Sequence, residues 1–440
     1  MERWSVGSFN QIDWQWPREV IKPLSTVLRR RFEVVNRKDH DFASLQLATL
    51  HFDGELEPRE LRGKVEFKGK LFFAHAGDVT YSKIDVRNGA IGIVPDTMPR
   101  VAVSAEYPVY QVDAKLALPD YIKLVFRTRA FRDRINAMIS GASGRKRVQP
   151  DMLEKLEAPL PPLTEQRAIV ERWRSAQAQI AAASVRVEKL KTASAARLLT
   201  DLGLTPATIG EMPKSFAVRW ADLATWSGST AFKRLTVGDV HAGKFPVAHG
   251  HGFLTDVCHG CSAPPSPVPT ALEILKISAV TRGEFMPTEK KFAADNPRVR
   301  EQFDLRKGDV LLCRTNGTLA YVGMSALVTA DQQNLIFPDK VIRVRVKPEL
   351  IRPDYLWLVL QTPFLRAKIE AAARTAVGNY AIGGKDIWNF EVPLPSLEVQ
   401  RKLVERVTAA RLEIARERAA AAALRQTIAA EVESLILGTQ

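Results

Sequence analysis

The stretch PLPPLTEQRAIV at residues 159–170 returns as PLPSLEVQRKLV at residues 393–404, and this repeat decides the fold of the 440-residue chain. When position 119 is set on position 353, residues 119–172 lie on residues 353–406 without a gap, with 21 identities in 54 positions. Unrelated sequences of average composition would share roughly three of those positions. The chain is therefore a tandem duplication. The shift of 234 residues between equivalent positions of its two copies is called the repeat offset.

Each copy has the same order of parts. Short runs of β-branched and aromatic residues, such as residues 90–94, 101–103 and 341–346, predict strands between Gly, Pro, Asn and Asp positions. Residues 121–139 and 355–373 each follow a Pro-Asp pair, and such a pair at the start of an apolar periodic stretch predicts a helix. The mixture predicts an α+β fold.

A long Ala-rich helix is predicted after each proline-rich stop. Its apolar residues recur at alternating steps of four and three, which is the heptad pattern of a coiled-coil seam. In the first copy these residues are Ile169, Trp173, Ala176, Ile180, Ala183, Val187 and Leu190, and in the second they are Leu403, Val407, Ala410, Ile414, Ala421, Leu424 and Ile428. Glu417 interrupts the second seam.

The order of the parts predicts how these helices pair. The first helix leaves domain one and arrives at domain two, whereas the second helix leaves domain two, so helices that pair on matching seams are antiparallel. We expect a first domain at residues 1–158, a central helix at 159–203, a second domain at 204–392 and a C-terminal helix at 393–440. The predicted fold is two domains joined by two long antiparallel coiled-coil helices with pseudo-two-fold symmetry.

Most of the net charge of +14 is divided equally between the two domains. Residues 1–158 and residues 204–392 each carry a net charge of +5. A polyanion that touches both domains explains this distribution, and a basic surface kept for solubility explains it equally well. Three cysteines, no apolar run of bilayer length and an N-terminus without a signal-peptide pattern predict a cytoplasmic protein with no membrane contact.

Residues 159–170 closely resemble the start of the conserved helix in specificity subunits of Type I restriction-modification systems, and residues 393–404 are a weaker copy. Four further segments resemble that family's target recognition domains, namely Gly-Asp-Val at 77–79 and 308–310 and the small-residue loops at 141–144 and 377–378. The resemblance covers essentially the whole chain. It departs at Val399, where the Glu of the Glu-Gln pair is expected, and this weakens the predicted helix capping there.

The resemblance implies that each target recognition domain reads one half of a bipartite sequence in double-stranded DNA, with a gap set by the helices. It also implies that the helices carry two adenine-N6 methyltransferase subunits and that restriction/translocase subunits join the complex. S-adenosylmethionine, ATP and Mg²⁺ would be used by those partner subunits. This chain would be a non-catalytic specificity subunit with no cofactor or metal of its own.

Polar and basic residues on loops are the candidates for DNA contact, because Arg pairs with guanine, Asn pairs with adenine and Lys mainly holds phosphate. In the first domain they are Lys83, Arg87, Asn88, Arg145, Lys146 and Arg147, and in the second they are Arg314, Thr315, Asn316, Asn379 and Tyr380. A solvated surface residue is an equal alternative for any one of them. For four arginines on a predicted helix the solvated face is the preferred interpretation, namely Arg127, Arg129, Arg132 and Arg134.

A cluster of metal-binding residue types falls within one short stretch of the second domain. Its members are His241, His249, His251, Cys258, His259 and Cys261. A Cys-x-x-Cys pair with nearby His could bind zinc tetrahedrally. The spacing matches no zinc finger, and the segment runs into Pro264-Pro265, so a polar surface loop is the preferred interpretation.

The sequence carries no motif of the expected enzymes. It has no Gly-x-x-x-x-Gly-Lys-Ser/Thr loop for nucleotide phosphates and no Asn/Asp-Pro-Pro-aromatic segment of the kind adenine methyltransferases use. Glu66-Phe67-Lys68 has the shape of part of a nuclease metal site, but no suitably spaced Pro-Asp precedes it. Two alternatives to the specificity subunit stay open: a stand-alone DNA-binding regulator, and a zinc-dependent nuclease built around the His/Cys cluster.

Overall fold

The structure is a computed structural model, and it describes residues 14–36, 38, 40, 42–59, 69–139, 147–204, 215, 217, 243–376 and 378–439. Contacts divide the chain into a first unit, residues 1–185 with 417–440, and a second unit, residues 186–416. Arg145, Lys146, His241 and the Glu66-Phe67-Lys68 segment lie outside the described residues.

The described residues of the first unit form two four-stranded sheets and one strand pair. Its strands are β1 (Ile21–Pro23), β2 (Leu28–Arg31), β3 (Leu47–Leu50), β4 (Leu56–Arg59), β5 (Leu71–His75), β6 (Val79–Tyr81), β7 (Ile91–Ile93), β8 (Arg100–Ser104), β9 (Val109–Val112) and β10 (Glu157–Pro159). The sheets have the orders β2-β9-β6-β7 and β4-β3-β8-β5, and β1 pairs antiparallel with β10. Strand β3 pairs parallel with β8, whereas the other ladders are antiparallel.

The helices of the first unit cover the β2-β9-β6-β7 sheet. They are α1 (Pro119–Arg127), α2 (Arg129–Ile139), α3 (Pro150–Glu154) and the first part of the long helix α4 (Leu163–Leu202). Tyr81, Tyr110, Tyr121 and Phe126 are fully buried in the core that the sheet and helices share. Burying an aromatic ring of this size removes a large apolar area from water, which is the main force holding the layers together.

The described residues of the second unit form one four-stranded sheet, two three-stranded sheets and one strand pair. Its strands are β11 (Val247–His249), β12 (Leu254–His259), β13 (Glu273–Leu275), β14 (Lys290–Phe292), β15 (Val310–Cys313), β16 (Thr315–Asn316), β17 (Ser325–Leu327), β18 (Leu335–Ile336), β19 (Val341–Val346), β20 (Arg374–Ala376), β21 (Asn379–Ala381) and β22 (Glu391–Pro393). Its helices are α5 (Gly250–Phe253), α6 (Pro297–Gln302), α7 (Pro353–Leu360), α8 (Pro363–Ala372), α9 (Gly384–Trp388) and the first part of α10 (Leu397–Leu437).

Corresponding elements of the two units are related by the predicted repeat offset. Helix α1 begins at Pro119 and α7 at Pro353, while β10 begins at Glu157 and β22 at Glu391. The sheet β12-β19-β15-β17 matches β2-β9-β6-β7, and the pair β11-β22 matches β1-β10. The α+β duplication predicted from the sequence is therefore confirmed.

The predicted single helices at 121–139 and 355–373 are each divided in two, so that prediction was wrong. Thr128 and Thr362 have extended backbone, with ψ of 144° and 145°. Each threonine hydroxyl accepts a hydrogen bond from the amide three residues on, Phe131 or Leu365, at 3.3 Å. The threonine side chain thus caps a new helix, which the apolar pattern alone does not reveal.

Helices α4 and α10 are antiparallel in both units. In the first unit, Ile169 and Ala176 near the start of α4 share a core with Ile428 and Val432 near the end of α10. In the second unit, Leu198 and Leu202 near the end of α4 share a core with Leu403 near the start of α10. This is the antiparallel pairing that the order of the parts predicts.

Most of the predicted seam residues are turned inward. Ile169, Ala176, Ile180, Ala183, Val187, Leu403, Ile414 and Ile428 are buried, while Trp173, Leu190, Val407, Ala410, Glu417, Ala421 and Leu424 are partly exposed. Ion pairs flank the seams: Arg172 with Glu431 in the first unit, and Arg406 with Asp201 in the second. In the described part of the chain, no helix is both long enough and apolar enough to cross a bilayer.

Candidate nucleic-acid interface

The two Gly-Asp-Val elements are the turns that start strands β6 and β15. Gly77 and Gly308 have φ of 83° and 94°, a region that favours glycine. Asp78 is buried and accepts hydrogen bonds from Arg31 Nε at 2.7 Å and from the backbone amide of His75 at 2.9 Å. The buried carboxylate therefore fixes the turn rather than contacting a ligand.

Asp309 does the same in the second unit. Its carboxylate accepts hydrogen bonds from Arg345 Nε at 2.7 Å and from the Arg306 amide at 2.8 Å. Arg31 lies on β2 and Arg345 on β19, which are not equivalent strands. Both units therefore have an ion pair between a buried aspartate and an arginine at this turn, but the arginine comes from a different strand in each. In both units the strand that follows this turn leads directly to predicted DNA-contact residues.

Lys83 and Arg314 occupy equivalent positions at the far ends of those strands. The amide of Lys83 donates to Glu106 O at 3.1 Å, and its ammonium donates to Ala105 O at 2.7 Å. The amide of Arg314 donates to Lys340 O at 2.8 Å, and its guanidinium donates to Asp339 O at 3.1 Å. Each side chain holds a neighbouring loop through a backbone carbonyl.

A second backbone hydrogen bond joins Lys83 to the segment that follows helix α2, and Arg314 to the segment that follows helix α8. The Val148 amide donates to Lys83 O at 2.9 Å, and the Ile382 amide donates to Arg314 O at 3.0 Å. Residues 148 and 382 are related by the repeat offset. The structure therefore brings together, in each unit, the two stretches of chain that the sequence analysis selected separately.

In the first unit the exposed candidates are Arg87 and Asn88, on a short 3-10 helix at Val86–Asn88, and Arg147. Arg147 Nε lies 3.5 Å from Glu106 Oε2, and its side chain is 47% exposed. Glu106 also belongs to the loop that Lys83 holds. Lys83 and Arg147 thus both lie beside the loop of Glu106.

In the second unit a three-stranded sheet, β16-β21-β20, carries the candidates other than Arg314. Asn316 pairs with Tyr380 and Thr315 with Ala381 across the β16–β21 ladder. Asn379 is exposed at the start of β21, where it pairs with Ala376 of β20. The hairpin β20–β21 therefore displays a polar surface that is only two strands wide at its tip.

Strand β20 adds two exposed residues that the sequence analysis missed, Arg374 and Thr375. Thr375 pairs with Tyr380 across the hairpin. Arg374 Nη2 donates to Asp386 Oδ1 at 3.3 Å, and Asp386 in turn accepts from the Gly383 amide at 2.8 Å. The available signal was the turn-forming Gly378-Asn379 pair, and the φ of 78° at Gly378 suits a tight turn.

Arg127 lies elsewhere than predicted. Instead of facing solvent, its guanidinium donates to the carbonyls of Phe52, Gly89 and Ile91. Burial lowers the pKa of this guanidinium. Arg127 thus ties helix α1 to two loops of the first unit, and the solvated-face interpretation was wrong for this residue.

The described members of the His/Cys cluster are spread over several elements. His251 of α5 stacks on Trp388 at 5.1 Å between ring centroids, and His249 Nε2 lies 3.9 Å from Glu391. Cys258 and His259 lie on strand β12, paired with β19, and not in the surface loop expected from the prolines. Among the described residues, no three His, Cys, Asp or Glu side chains are grouped to hold a metal ion.

The fold and these surfaces define a class of protein: a tandem repeat of two α+β units, each of which displays exposed polar residues and includes parts of the long helices α4 and α10. No family model matches the chain. The specificity subunit of the Type I restriction enzyme EcoKI from Escherichia coli strain K12 is 26% identical over 294 residues, covering 67% of this chain and 58% of that subunit. The EcoEI specificity subunit from Escherichia coli is 22% identical over 465 residues, covering 90% of this chain and 77% of that subunit.

A solved structure shares the fold. A chain from a study of complex assembly and conformational transition of the type I R-M system has a TM-score of 0.60 at 15% identity, covering 94% of this chain and 97% of that chain. The predicted relationship to Type I specificity subunits is therefore confirmed by relatives of that name and by the shared fold.

Proposed function

We propose that this chain is the DNA-specificity subunit of a Type I restriction-modification complex, in which each unit reads one half of a bipartite sequence in double-stranded DNA. The observation that carries the proposal is the equivalent bond from Val148 to Lys83 and from Ile382 to Arg314. It assembles a polar loop cluster at the same place in both repeats. A duplicated reader suits a two-part target, because each copy contacts its own set of bases.

The chemistry of the two clusters suits DNA. Exposed Arg and Lys groups neutralise phosphates, while Asn and Thr side chains hydrogen-bond to base edges in the major groove. A two-stranded β-ribbon such as β20–β21 fits that groove in width. The equal net charge of +5 on residues 1–158 and 204–392 agrees with one polyanion that contacts both domains.

The partners proposed for the chain are two adenine-N6 methyltransferase subunits and restriction/translocase subunits. Support comes from the relatives, which are specificity subunits of Type I restriction enzymes, and from the fold shared with a chain of the type I R-M system. In this proposal the chain is not an enzyme, and S-adenosylmethionine, ATP and Mg²⁺ are used by its partners. The long helices α4 and α10 are the proposed scaffold.

Reconstitution tests the proposal against its alternatives. The purified chain is expected to bind a bipartite DNA target, and to direct methyl transfer only when the methyltransferase subunits are added. A stand-alone regulator would bind its site equally well with or without those subunits and would direct no methylation. A zinc-dependent nuclease would cleave DNA by itself and lose that activity with a chelator.

A further inference from the structure

Gln166 is a fully buried glutamine at the start of helix α4. Its side-chain oxygen accepts a hydrogen bond from the Leu118 amide at 2.9 Å. Its side-chain nitrogen donates to Leu116 O at 2.9 Å and to Pro161 O at 2.8 Å. One amide group therefore joins the loop before α1, the proline-rich stop and the first turn of the long helix.

Gln400 makes the same three bonds in the second unit. Its oxygen accepts from the Arg352 amide at 2.9 Å, and its nitrogen donates to Leu350 O and Pro395 O, both at 2.9 Å. Gln400 is also fully buried. Every partner is related by the repeat offset, so the whole clamp is duplicated and not only the glutamine.

A buried tyrosine reinforces each clamp from the other side of the proline-rich stop. The Tyr121 hydroxyl donates to Pro159 O at 3.1 Å, and the Tyr355 hydroxyl donates to Pro393 O at 2.8 Å. Burial raises the pKa of both phenols, so they remain donors at all physiological pH values. Backbone carbonyls buried in a turn must be satisfied, and here side chains fix the direction in which the helix leaves the domain.

The direction of a long helix matters because a small tilt at one end of the helix produces a large displacement of the other end. Helix α4 has 40 residues and, at 1.5 Å per residue, extends about 60 Å. One base-pair step is about 3.4 Å. A tilt of about 3° at the start of a helix of that length displaces its far end by about one base-pair step.

We infer that Gln166 and Gln400 are positioning residues that set the gap between the two halves of the DNA target. The inference rests on the proposed function. Each glutamine acts through the helix that it anchors and makes no DNA contact. Losing the clamp leaves base recognition intact but lets the recognition domain tilt on its helix, so that targets with neighbouring gap lengths become acceptable.

The test replaces each glutamine by methionine, a neutral side chain of similar length that cannot donate or accept these bonds. Gln179→Met and Gln426→Met are the surface controls, because both glutamines are exposed on the same two helices. Val109→Ala, in the buried strand β9, is the control for lost stability at a site away from the clamp. Gln166→Glu and Gln400→Glu are second variants, which keep the acceptor and lose the two donors.

Methylated sites are then mapped for the full chain with its partner subunits. In the glutamine variants, methylation of sites whose gap is one base pair longer or shorter is expected to rise about tenfold, while both half-site sequences stay unchanged. The three control variants should keep the original gap. An unchanged gap in folded Gln166→Met and Gln400→Met overturns the inference.

A DNA-free measurement separates this inference from the proposed function. Spin labels at Arg132→Cys and Ala182→Cys, both exposed in the first unit, report the angle between domain and helix in a full chain whose three native cysteines are replaced by alanine. Gln166→Met is expected to broaden the distance distribution. No broadening overturns the clamp, whereas broadening in a chain that directs no bipartite methylation overturns only the proposed function.

Discussion

The backbone amide of Ile382 donates a hydrogen bond to the carbonyl of Arg314 at 3.0 Å, and this bond joins the residue after β21 to the residue after β15. Its counterpart in the first unit runs from Val148 to Lys83. The two donors are related by the repeat offset, whereas the two acceptors are offset by three positions fewer. The bond has therefore survived a difference in length between the copies, which marks the junction as a shared requirement of both units.

The hairpin β20–β21 is expected to read bases in one half of the target. Thr375→Ala and Asn379→Ala remove exposed polar groups, so each should relax one base position and cost about 1–3 kcal/mol at that position. The other half-site should be unaffected. Mapping of methylated sites measures this, with Asn389→Ala, at an exposed asparagine outside the hairpin, as the control. Full retention of specificity in both variants would contradict a reading role.

The basic loop of the first domain is expected to act on the other half-site. Arg147→Ala and Arg145→Ala should weaken that half alone. If either arginine reads a base, one position relaxes at about 1–3 kcal/mol, whereas if it holds phosphate, all sequences weaken alike and the salt dependence of binding becomes shallower. Binding measured against salt distinguishes the two roles, with Lys189→Ala on α4 as the control. Unaltered binding in both arginine variants would remove this loop from the interface.

The helix seam is expected to hold each unit together and to support subunit assembly. Ile180 and Ile414 are 5% and 9% exposed, so Ile180→Asp and Ile414→Asp each bury a charge at a cost of several kcal/mol. Thermal unfolding should begin earlier and assembly with the methyltransferase should fail. Val185→Asp and Leu412→Asp are matched controls for unfolding, because those side chains are 55% and 52% exposed. Equal unfolding temperatures in all four variants would show that Ile180 and Ile414 do not stabilise the pairing of α4 and α10.

A small residue leaves α4 and α10 incompletely packed in the second unit. Ser194 borders a groove of about 190 Å³ together with Leu198, Leu358 and Ile414. Its repeat equivalent is Ile428, which is buried in the core of the first unit. Ser194→Ile should fill the groove and raise stability by about 1 kcal/mol, whereas Ser194→Ala should gain less. Calorimetry measures the difference, and a loss of stability on Ser194→Ile would show that the groove cannot admit the larger side chain.

The thiols of the His/Cys cluster are expected to be unreactive. Burial raises the pKa of Cys258 and Cys261, and it raises the pKa of Cys313 to about 11. Because a raised pKa keeps a thiol protonated, alkylation of all three thiols should be slow at neutral pH and should accelerate as the pH rises. Rates of iodoacetamide labelling against pH test this. One equivalent of tightly bound zinc, lost in Cys258→Ser, would instead support a metal site.

The repeat predicted which residues of the two copies are equivalent, but it did not predict the contacts that those residues make. The repeat offset places Gln166 opposite Gln400. Yet their partners are backbone groups far away along the chain, such as Leu116 and Leu350, which only the folded chain brings near. Arg127 was misjudged for the same reason, because the carbonyls that bury it come from distant loops.

Local competition explains the remaining errors. The break at Thr128 depends on a hydroxyl that caps the next helix, and the helical periodicity runs through it unchanged. Arg374 and Thr375 were missed because the repeat offset sets them against Ser140 and Gly141, which carry no strand pattern. Residues that read two different half-sites are expected to differ between the copies. The repeat therefore identifies the shared framework better than the DNA-contact surface.

Methylome sequencing of the host, with and without this chain, tests whether the chain directs methylation to a bipartite DNA sequence. Adenine methylation is expected at one bipartite sequence with a fixed gap when the chain is present, and methylation at that sequence alone should be lost when the chain is absent. The duplicated Lys83 and Arg314 loops would each account for one half of the site. An adenine methylation pattern that does not change when the chain is removed, in a host whose methyltransferase subunits are expressed, would contradict the account.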